Sequence, residues 1–257
     1  MLKSAVKELA GSFGFDVIRR NGGGNASLSR GVISRFQHQG QEVTFFIADE
    51  WDYIQSHHLK GCFYETEELG LIARHFRGGV FVDVGANIGN HAIYALKFLE
   101  AEKVIAFEPN PAAARLLHIN LALNGLSAKV DHRPVGLCDR DAQASLIAPR
   151  HKDLGSTRLE LMDGASESTG CPVTTGDAAL ANEPMISMIK IDTEAMELEV
   201  LAGLSQTLAR HRPTLFVEVD DANRDAFLSF AKTNAYEVAA TYRRYETNCN
   251  YLLEPKA

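Results

Sequence analysis

One stretch, VFVDVGANIGNHAIYALKFL over residues 80–99, constrains this chain more than any other. VFVDV is an almost unbroken run of β-branched and apolar residues, the pattern of a short buried strand. GANIG is a tight glycine-rich turn, and HAIYALKFL places Ile93 and Leu96, with Ala95 and Leu99 beside them, at helical spacing. Strand, glycine loop and helix in that order open a nucleotide-type binding unit. Asp83 sits inside the strand end, where a lone carboxylate is costly unless it holds something.

Similar units follow. KVIAF (103–107) predicts a second buried strand ending at Glu108, before Pro109, Asn110 and Pro111. A helix is expected over 112–123, stopped by Asn124 and Gly125. Residues 129–137 predict a third strand, 144–148 another short one, and MISMIKI (185–191) a fourth main strand ending at Asp192. A helix over 195–210, a fifth strand over 214–219, a helix over 223–232 and strands near 236–241 and 250–253 complete the chain. Strands alternating with helices predict an α/β fold with a mostly parallel sheet covered on both faces. Residues 1–60 are expected to form an N-terminal extension. It holds a weak helix over 2–11, a break at NGGG (21–24) and a small β-hairpin of 31–38 and 42–48 around Gln39-Gly40. Residues 61–257 then form the main domain. Residues 53–60, with His57 and His58, read as a solvated loop, and 64–76 as a helix with acids first and bases last. Residues 149–183, small and polar, read as a lid or substrate loop. Its Arg150, His151, Lys152 and Arg158 are expected to be solvated.

Composition excludes some functions. A net charge of −7 argues against a sequence-blind nucleic-acid binder, so no nucleic-acid partner is expected. Cys62, Cys138, Cys171 and Cys249 show no metal-finger spacing and read as reduced thiols. No leader pattern or membrane-span length is visible, and the expectation is a cytoplasmic protein, with an oligomer left open.

Parallel sheets bind ligands beyond the carboxyl ends of their strands, and Asp83, Glu108, Asp192 and Glu218 all fall near such ends. Asp83 beside the loop would repel a diphosphate but suits a cationic amino group. Glu108 is placed to accept from two ribose hydroxyls, which excludes a 2′-phosphate. An amino-acid end plus a ribose describes S-adenosylmethionine. A nicotinamide-dependent oxidoreductase is disfavoured by the acid before the loop and the lack of GxGxxG. Asp192 and Glu194 are the candidate catalytic bases, although both also suit the start of a helix. Asp192, Glu194 and Glu218 together would suit Mg²⁺, a variant rated below the metal-free reading. His91 is a minor ligand candidate, and Tyr242 to Tyr245 a candidate acceptor wall.

VDVGANIGNHAIYAL, VIAFEPNPAAARLLHINLALNGL, MIKIDTEAMELEVLAGL and RPTLFVEV resemble the successive motifs of the FkbM-type S-adenosylmethionine-dependent methyltransferases. The resemblance covers about 64–219. It implies a Rossmann-like methyltransferase fold with a seven-stranded, mostly parallel sheet. It also implies methyl transfer to oxygen, on a sugar, glycan or secondary metabolite as small-molecule or glycan acceptor. Carried over, Asp83, Gly85, Ala86, Asn87 and Gly89 would surround the amino-acid end of the cofactor. Glu108 would hold the ribose beside Pro109 and Asn110, and Val135 and Gly136 would lie near the adenine. Tyr64 and Glu65 would cover the cofactor, and Asp192 would stand by the reacting methyl. One departure is Ala195, where the family has glycine after the acid pair. It keeps alive a rival reading, a cofactor-binding partner or sensor that is weak or inactive in catalysis.

Overall fold

The structure, a computed structural model, describes residues 31–147, 154–162 and 170–256. The helix expected over 2–11 and the NGGG break lie outside them. Seven strands form the central sheet. Five are parallel: β3 (Gly79–Val84), β4 (Ala101–Phe107), β5 (Val130–Arg133), β10 (Met188–Ile191) and β11 (Thr214–Asp220). The C-terminal hairpin of β12 (Tyr236–Tyr242) and β13 (Asn248–Pro255) completes it, β13 running antiparallel to β11. The order is β12-β13-β11-β10-β3-β4-β5. From β3 the chain winds outward through β4 to β5, then returns to place β10 on the other side of β3. The strand order reverses there, and the carboxyl ends of β3 and β10 open a crevice.

Strand parity divides the core. Phe81, Val104, Ala106, Met188 and Phe216 face one side of the sheet, packing with Ala92 and Ile93 of α3 (Asn90–Phe98). Val82, Val84, Ile105, Ile189, Ile191 and Val217 face the other, against Val200, Leu201, Leu204 and Leu208. Burying both faces is what near-continuous apolar strands require. α4 (Pro111–Leu123) begins as its sequence dictates: Asn110 caps it by accepting from Ala112 N–H, and Pro111 occupies the first turn. It ends at Asn124 and Gly125, the latter at φ 69°.

The N-terminal hairpin pairs β1 (Val32–His38) with β2 (Gln41–Ile47) around Gln39 and Gly40, both at positive φ as a tight hairpin turn requires. It docks on α4, where Asn120 Oδ1 accepts from Phe46 N–H at 2.8 Å and Asn124 Oδ1 from Thr44 N–H at 3.1 Å.

Four expectations are corrected. Residues 53–60 are not a solvated loop: α1 (Tyr53–Leu59) is a helix capped by Asp52. His58 in it is fully buried and stacked on Phe45, and burial depresses its imidazole to about 4. The third strand is shorter than expected, because the chain leaves the main sheet after Arg133. The lid or substrate loop expected over 149–183 holds two strands in its described parts; with residues 136–138 and 142–147, the latter close to the short strand expected over 144–148, they build a second, four-stranded sheet. Its order is β6 (Gly136–Cys138), β9 (Cys171–Thr175), β7 (Ala142–Ile147), β8 (Arg158–Leu161). α5 (Gly176–Ala179) follows β9. The long helix expected over 195–210 is two, α6 (Glu197–Ala202) and α7 (Ser205–His211). They break at Gly203, where a Cβ would meet Cys138 O at 2.0 Å, so helix and second sheet touch backbone to backbone. The remaining helices are α2 (Thr66–His75) and α8 (Arg224–Thr233). Among the described residues no helix is long and apolar enough to cross a membrane.

Candidate active site

A cavity of about 260 Å³ lies over the carboxyl ends of β3, β4, β10 and β11. The glycine loop forms its floor. Gly85 N–H and Ala86 N–H both donate to Phe107 O, which ties the loop to β4. Gly85 stands at φ 79°, and a Cβ there would meet Asp192 O at 1.9 Å. Only glycine lets β3 and β10 come this close at the switch point. Asn87 takes φ 47°, and its Oδ1 is buried with no hydrogen-bond partner.

Glu108 extends from the end of β4. One carboxylate oxygen accepts from Asn87 N–H at 2.8 Å and the other from Asn110 N–H at 2.8 Å. Burial pushes its carboxyl up to about 7, against the pull of those two amides. Each oxygen keeps a further lone pair for a ligand. Pro109, Asn110, Val135 and Gly136 line the wall beside it, with Phe107, Leu137 and Leu159.

The other end is acidic. Glu65, at the start of α2, is nine-tenths buried and makes no hydrogen bond through its carboxylate among the described residues. Its nearest nitrogen partner, His91 Nε2, lies at 3.6 Å. Burial and then the Lys190 charge hold that imidazole well below its ordinary value, so it is neutral and no counter-ion. Burial, then the negative charge of Asp192, pushes the Glu65 carboxyl up. Asp192 and Glu218 stand side by side on adjacent parallel strands, one position beyond the Ile191–Val217 pair, close enough for their carboxyls to interact. A carboxyl pair in that contact holds a proton. Burial and the neighbouring Asp192 place it on Glu218, whose carboxyl is raised. Glu194 lies 4.0 Å from Arg158 Nε. The tyrosines Tyr53, Tyr64 and Tyr245 close the wall, the last two joined hydroxyl to hydroxyl at 2.7 Å.

Beneath the floor lies a residue the sequence reading missed. Lys190 is almost fully buried in the middle of the sheet. Its Nζ donates to Gly85 O at 3.0 Å and lies 3.2 Å from Asp192 Oδ2 and 3.5 Å from Asp83 Oδ1. Burial alone would depress the amine; the charges of Asp192, Asp83 and Glu65 outweigh it and hold the ammonium above its usual range. Its signal was in the sequence: a lysine inside the apolar run MIKI has to be paired.

Eleven of the candidates meet on this wall: Tyr64, Glu65, Gly85, Asn87, Glu108, Pro109, Asn110, Val135, Gly136, Asp192 and Glu194. Asp83, Ala86 and Gly89 do not line it. Asp83 is fully buried and pairs with Lys190 across β3 and β10, so the expected grip on an amino group is corrected to an internal ion-pair role. Ala86 and Gly89 shape the loop, Gly89 at φ 93° opening α3. Sequence reasoning missed Tyr53, Ile54 and Asn248 as wall residues, while the segment 154–157, inside the expected lid or substrate loop, does line the cavity. Of the suggested acceptor wall only Tyr245 reaches the cavity; Arg244 is held by Glu67 and Glu68, and Arg243 by Asp221. Among the described residues no three Asp, Glu, His or Cys side chains converge as a metal-ligand set.

This strand order, with a glycine loop after the first central strand and an acid after the second, is that of the Rossmann-like methyltransferase fold. The chain belongs to the FkbM methyltransferase family: the Methyltransferase FkbM domain matches residues 83–253. It is 28% identical over 155 residues to the methyltransferase sdnD of Sordaria araneosa, covering 49% of this chain and 60% of that protein. It is 26% identical over 204 residues to a tRNA (guanine(37)-N(1))-methyltransferase of Leishmania braziliensis, covering 74% of this chain and 28% of that protein. The chain thus spans less than two thirds of the length of either relative. Among solved structures, M. capricolum TrmK in complex with S-adenosyl-homocysteine shares the fold, with a TM-score of 0.50 and 11% identity over 76% of this chain and 70% of that one. A relative named for tRNA weighs against the exclusion of nucleic acid from net charge, and that exclusion is withdrawn.

Proposed function

We propose that this protein transfers the methyl group of S-adenosylmethionine to a hydroxyl of a small-molecule or glycan acceptor. The observation that carries the reading is the Glu108 carboxylate, fixed by two backbone amides at the rim of a cavity whose other end is acidic. The residues fit the cofactor. Glu108 has lone pairs left for two ribose hydroxyls, and Val135 and Gly136 offer an apolar shelf for the adenine. The unpartnered Asn87 Oδ1 awaits a donor. Glu65 is given the cofactor's ammonium, the role expected of Asp83, because it is the buried carboxyl open to the cavity. TrmK's structure with S-adenosyl-homocysteine supports the same choice of cofactor.

Bound here, the cofactor supplies an electrophilic methyl on a sulfonium. Asp192, held by Lys190 and by the Glu218 proton, takes the acceptor hydroxyl's proton as the new O–C bond forms. The proton Asp192 takes would balance the positive charge given up as the cofactor's S–CH3 bond breaks, so the net charge inside the cavity would be unchanged. Tyr53, Tyr64 and Tyr245 exclude water and align the acceptor. Glu194 is a lesser candidate, since it faces Arg158. A cytoplasmic site of action goes with this reading, supported by four free cysteines.

A second reading, binding without transfer, draws on Ala195, which occupies φ 82° where the family has glycine. Calorimetry with S-adenosyl-homocysteine, and labelled-methyl transfer to fractionated metabolites and glycans read by mass spectrometry, separates the two. Asp192→Asn is expected to keep cofactor affinity within about threefold and to lose about a hundredfold or more in turnover. Affinity lost with turnover per bound cofactor intact refutes the base assignment. Binding with no product from any fraction supports the second reading.

A further inference from the structure

The cavity has a roof, and one buried carboxylate ties it down. Segment 154–157, half-buried along its length, lines the cavity beside Glu108. At one end Leu154 packs, with Ile54, into the cluster that holds Ile88, the residue after Asn87. At the other, Thr157 Oγ1 accepts from Asn110 Nδ2 at 3.4 Å. Asn87 and Asn110 are the residues whose backbone amides hold the Glu108 carboxylate. The segment therefore runs from one side of Glu108 to the other, across the place assigned to the ribose.

Asp52 fastens this segment to the N-terminal extension, 102 positions away in sequence. Only 2% of its surface is exposed. Its Oδ1 accepts from Gln55 N–H at 2.9 Å, capping α1, and its Oδ2 accepts from Leu154 N–H at 3.0 Å. Tyr53 and Ile54, the next two residues, line the cavity, but Asp52 does not. Its hold on the segment is the stronger of the two. An N–H on a buried carboxylate is charge-assisted, whereas 3.4 Å at Thr157 is a long hydrogen bond. The floor opposite is the sheet end, with Gly85 and Ala86 tied to Phe107 O, and it does not part without breaking the fold. A half-buried segment held at two points opens at far lower cost. We propose that 154–157 is a strap closed over the nucleoside, that Asp52 is its latch, and that the strap lifts to admit the cofactor and to release S-adenosyl-homocysteine. This rests on the methyl-transfer reading, which places the ribose at Glu108, and adds how that site opens. Asp52 touches the strap and stays out of the cavity. Weakening its hold raises the open population with and without ligand alike, so association and dissociation quicken by one factor and affinity stays.

Asp52→Ser tests the latch, because it keeps an oxygen to cap α1 and removes the one that holds Leu154. Surface plasmon resonance over immobilised full-length protein measures the association and dissociation of S-adenosyl-homocysteine. Calorimetry measures affinity, and its stoichiometry counts the folded fraction. Both rate constants are expected to rise about tenfold or more, the worth of one charge-assisted hydrogen bond, with affinity held within about threefold. Asp52→Asn, isosteric with the native side chain, should move both rates the same way and stands in if the serine variant does not fold. A merely structural loss lowers the stoichiometry and leaves the rates of the folded fraction alone. Unchanged rates overturn the latch, as does faster dissociation with no gain in association, or a folded variant that no longer binds. Failure of the unsubstituted protein to bind S-adenosyl-homocysteine would instead strike the methyl-transfer reading, so the two failures are told apart.

Discussion

Replacing Lys190 with methionine removes the buried cation on which the floor of the site rests. The side chain fits the space of the aliphatic stem, so the change is chiefly electrostatic. Lys190 Nζ sits 3.5 Å from Asp83, which has no exposure to solvent. With an effective dielectric of about 20, unit charges at that distance attract by about 5 kcal/mol. Asp83 limits the loss by taking a proton. Forcing a carboxyl of ordinary pKa 3.8 to be protonated at pH 7 costs about 4 kcal/mol, at about 1.4 kcal/mol per unit. Both routes predict a loss of about 4 kcal/mol at pH 7, within the range for breaking one half of a buried pair. The sign with pH follows. In the variant the folded chain binds a proton at Asp83 that the unfolded chain lacks, so its stability rises as pH falls, by up to about 1.4 kcal/mol per unit above pH 4. In the unsubstituted chain Lys190 opposes that protonation and the slope is smaller. Urea denaturation at pH 5, 6, 7 and 8 measures the difference, and Asp83→Asn added to Lys190→Met should recover at least about 2 kcal/mol at pH 7. A penalty under about 1 kcal/mol, a penalty independent of pH, or no recovery in the double variant refutes the argument.

Glu108→Ala should weaken S-adenosyl-homocysteine binding by about 3 kcal/mol, roughly a hundredfold, from two lost charge-assisted hydrogen bonds; calorimetry checks it. Because the carboxyl is raised to about 7 and its ionised form is the acceptor, affinity in the unsubstituted protein should fall about tenfold per unit as pH drops well below 7 and gain no more than about twofold above it. Ala195→Gly should raise stability by about 1 kcal/mol, read as a higher urea midpoint, since Ala195 is held at φ 82° where only glycine is unstrained. Gly85→Ala should abolish S-adenosyl-homocysteine binding, because its Cβ would lie 1.9 Å from Asp192 O.

The main sheet was legible because its strands obey one strong rule. VFVDV, KVIAF and MIKI are buried on both faces, and short apolar runs interrupted by at most one charge mark such strands. The second sheet was legible only at β7, near the strand expected over 144–148; its strands run three to six residues, and β8 and β9 mix exposed and half-buried positions with no apolar run. Ala144 and Val173 are buried beside exposed Ile147 and Pro172, a pattern that a polar loop also shows. α1 was missed for a related reason. Its seven residues bury two polar side chains, Gln55, which accepts from Ala48 N–H, and His58, whose Nδ1 meets Cys62 O, so no apolar period announces it.

The site was legible where position along a strand decides function, and illegible where the face decides it. Glu108 and Asp192 reach the cavity because they lie just beyond the last rungs of their strands, and Glu218 because β11 outruns its neighbour β10 by that position. Asp83 lies one rung earlier, paired in register with Lys190, and parity turns both toward the face that α3 covers. A sequence shows that an acid and a lysine sit in two apolar runs. That they are cross-strand neighbours depends on β10 returning beside β3, a contact between residues more than a hundred positions apart. Lys190 then serves both faces of the problem: it neutralises the buried Asp83 and reaches past it to Gly85 O and Asp192. The glycine turn and the carboxylate proposed to receive the acceptor's proton are therefore fixed by one side chain, so a change at Lys190 disturbs cofactor binding and proton transfer together, whereas one at Glu108 reaches the nucleoside alone.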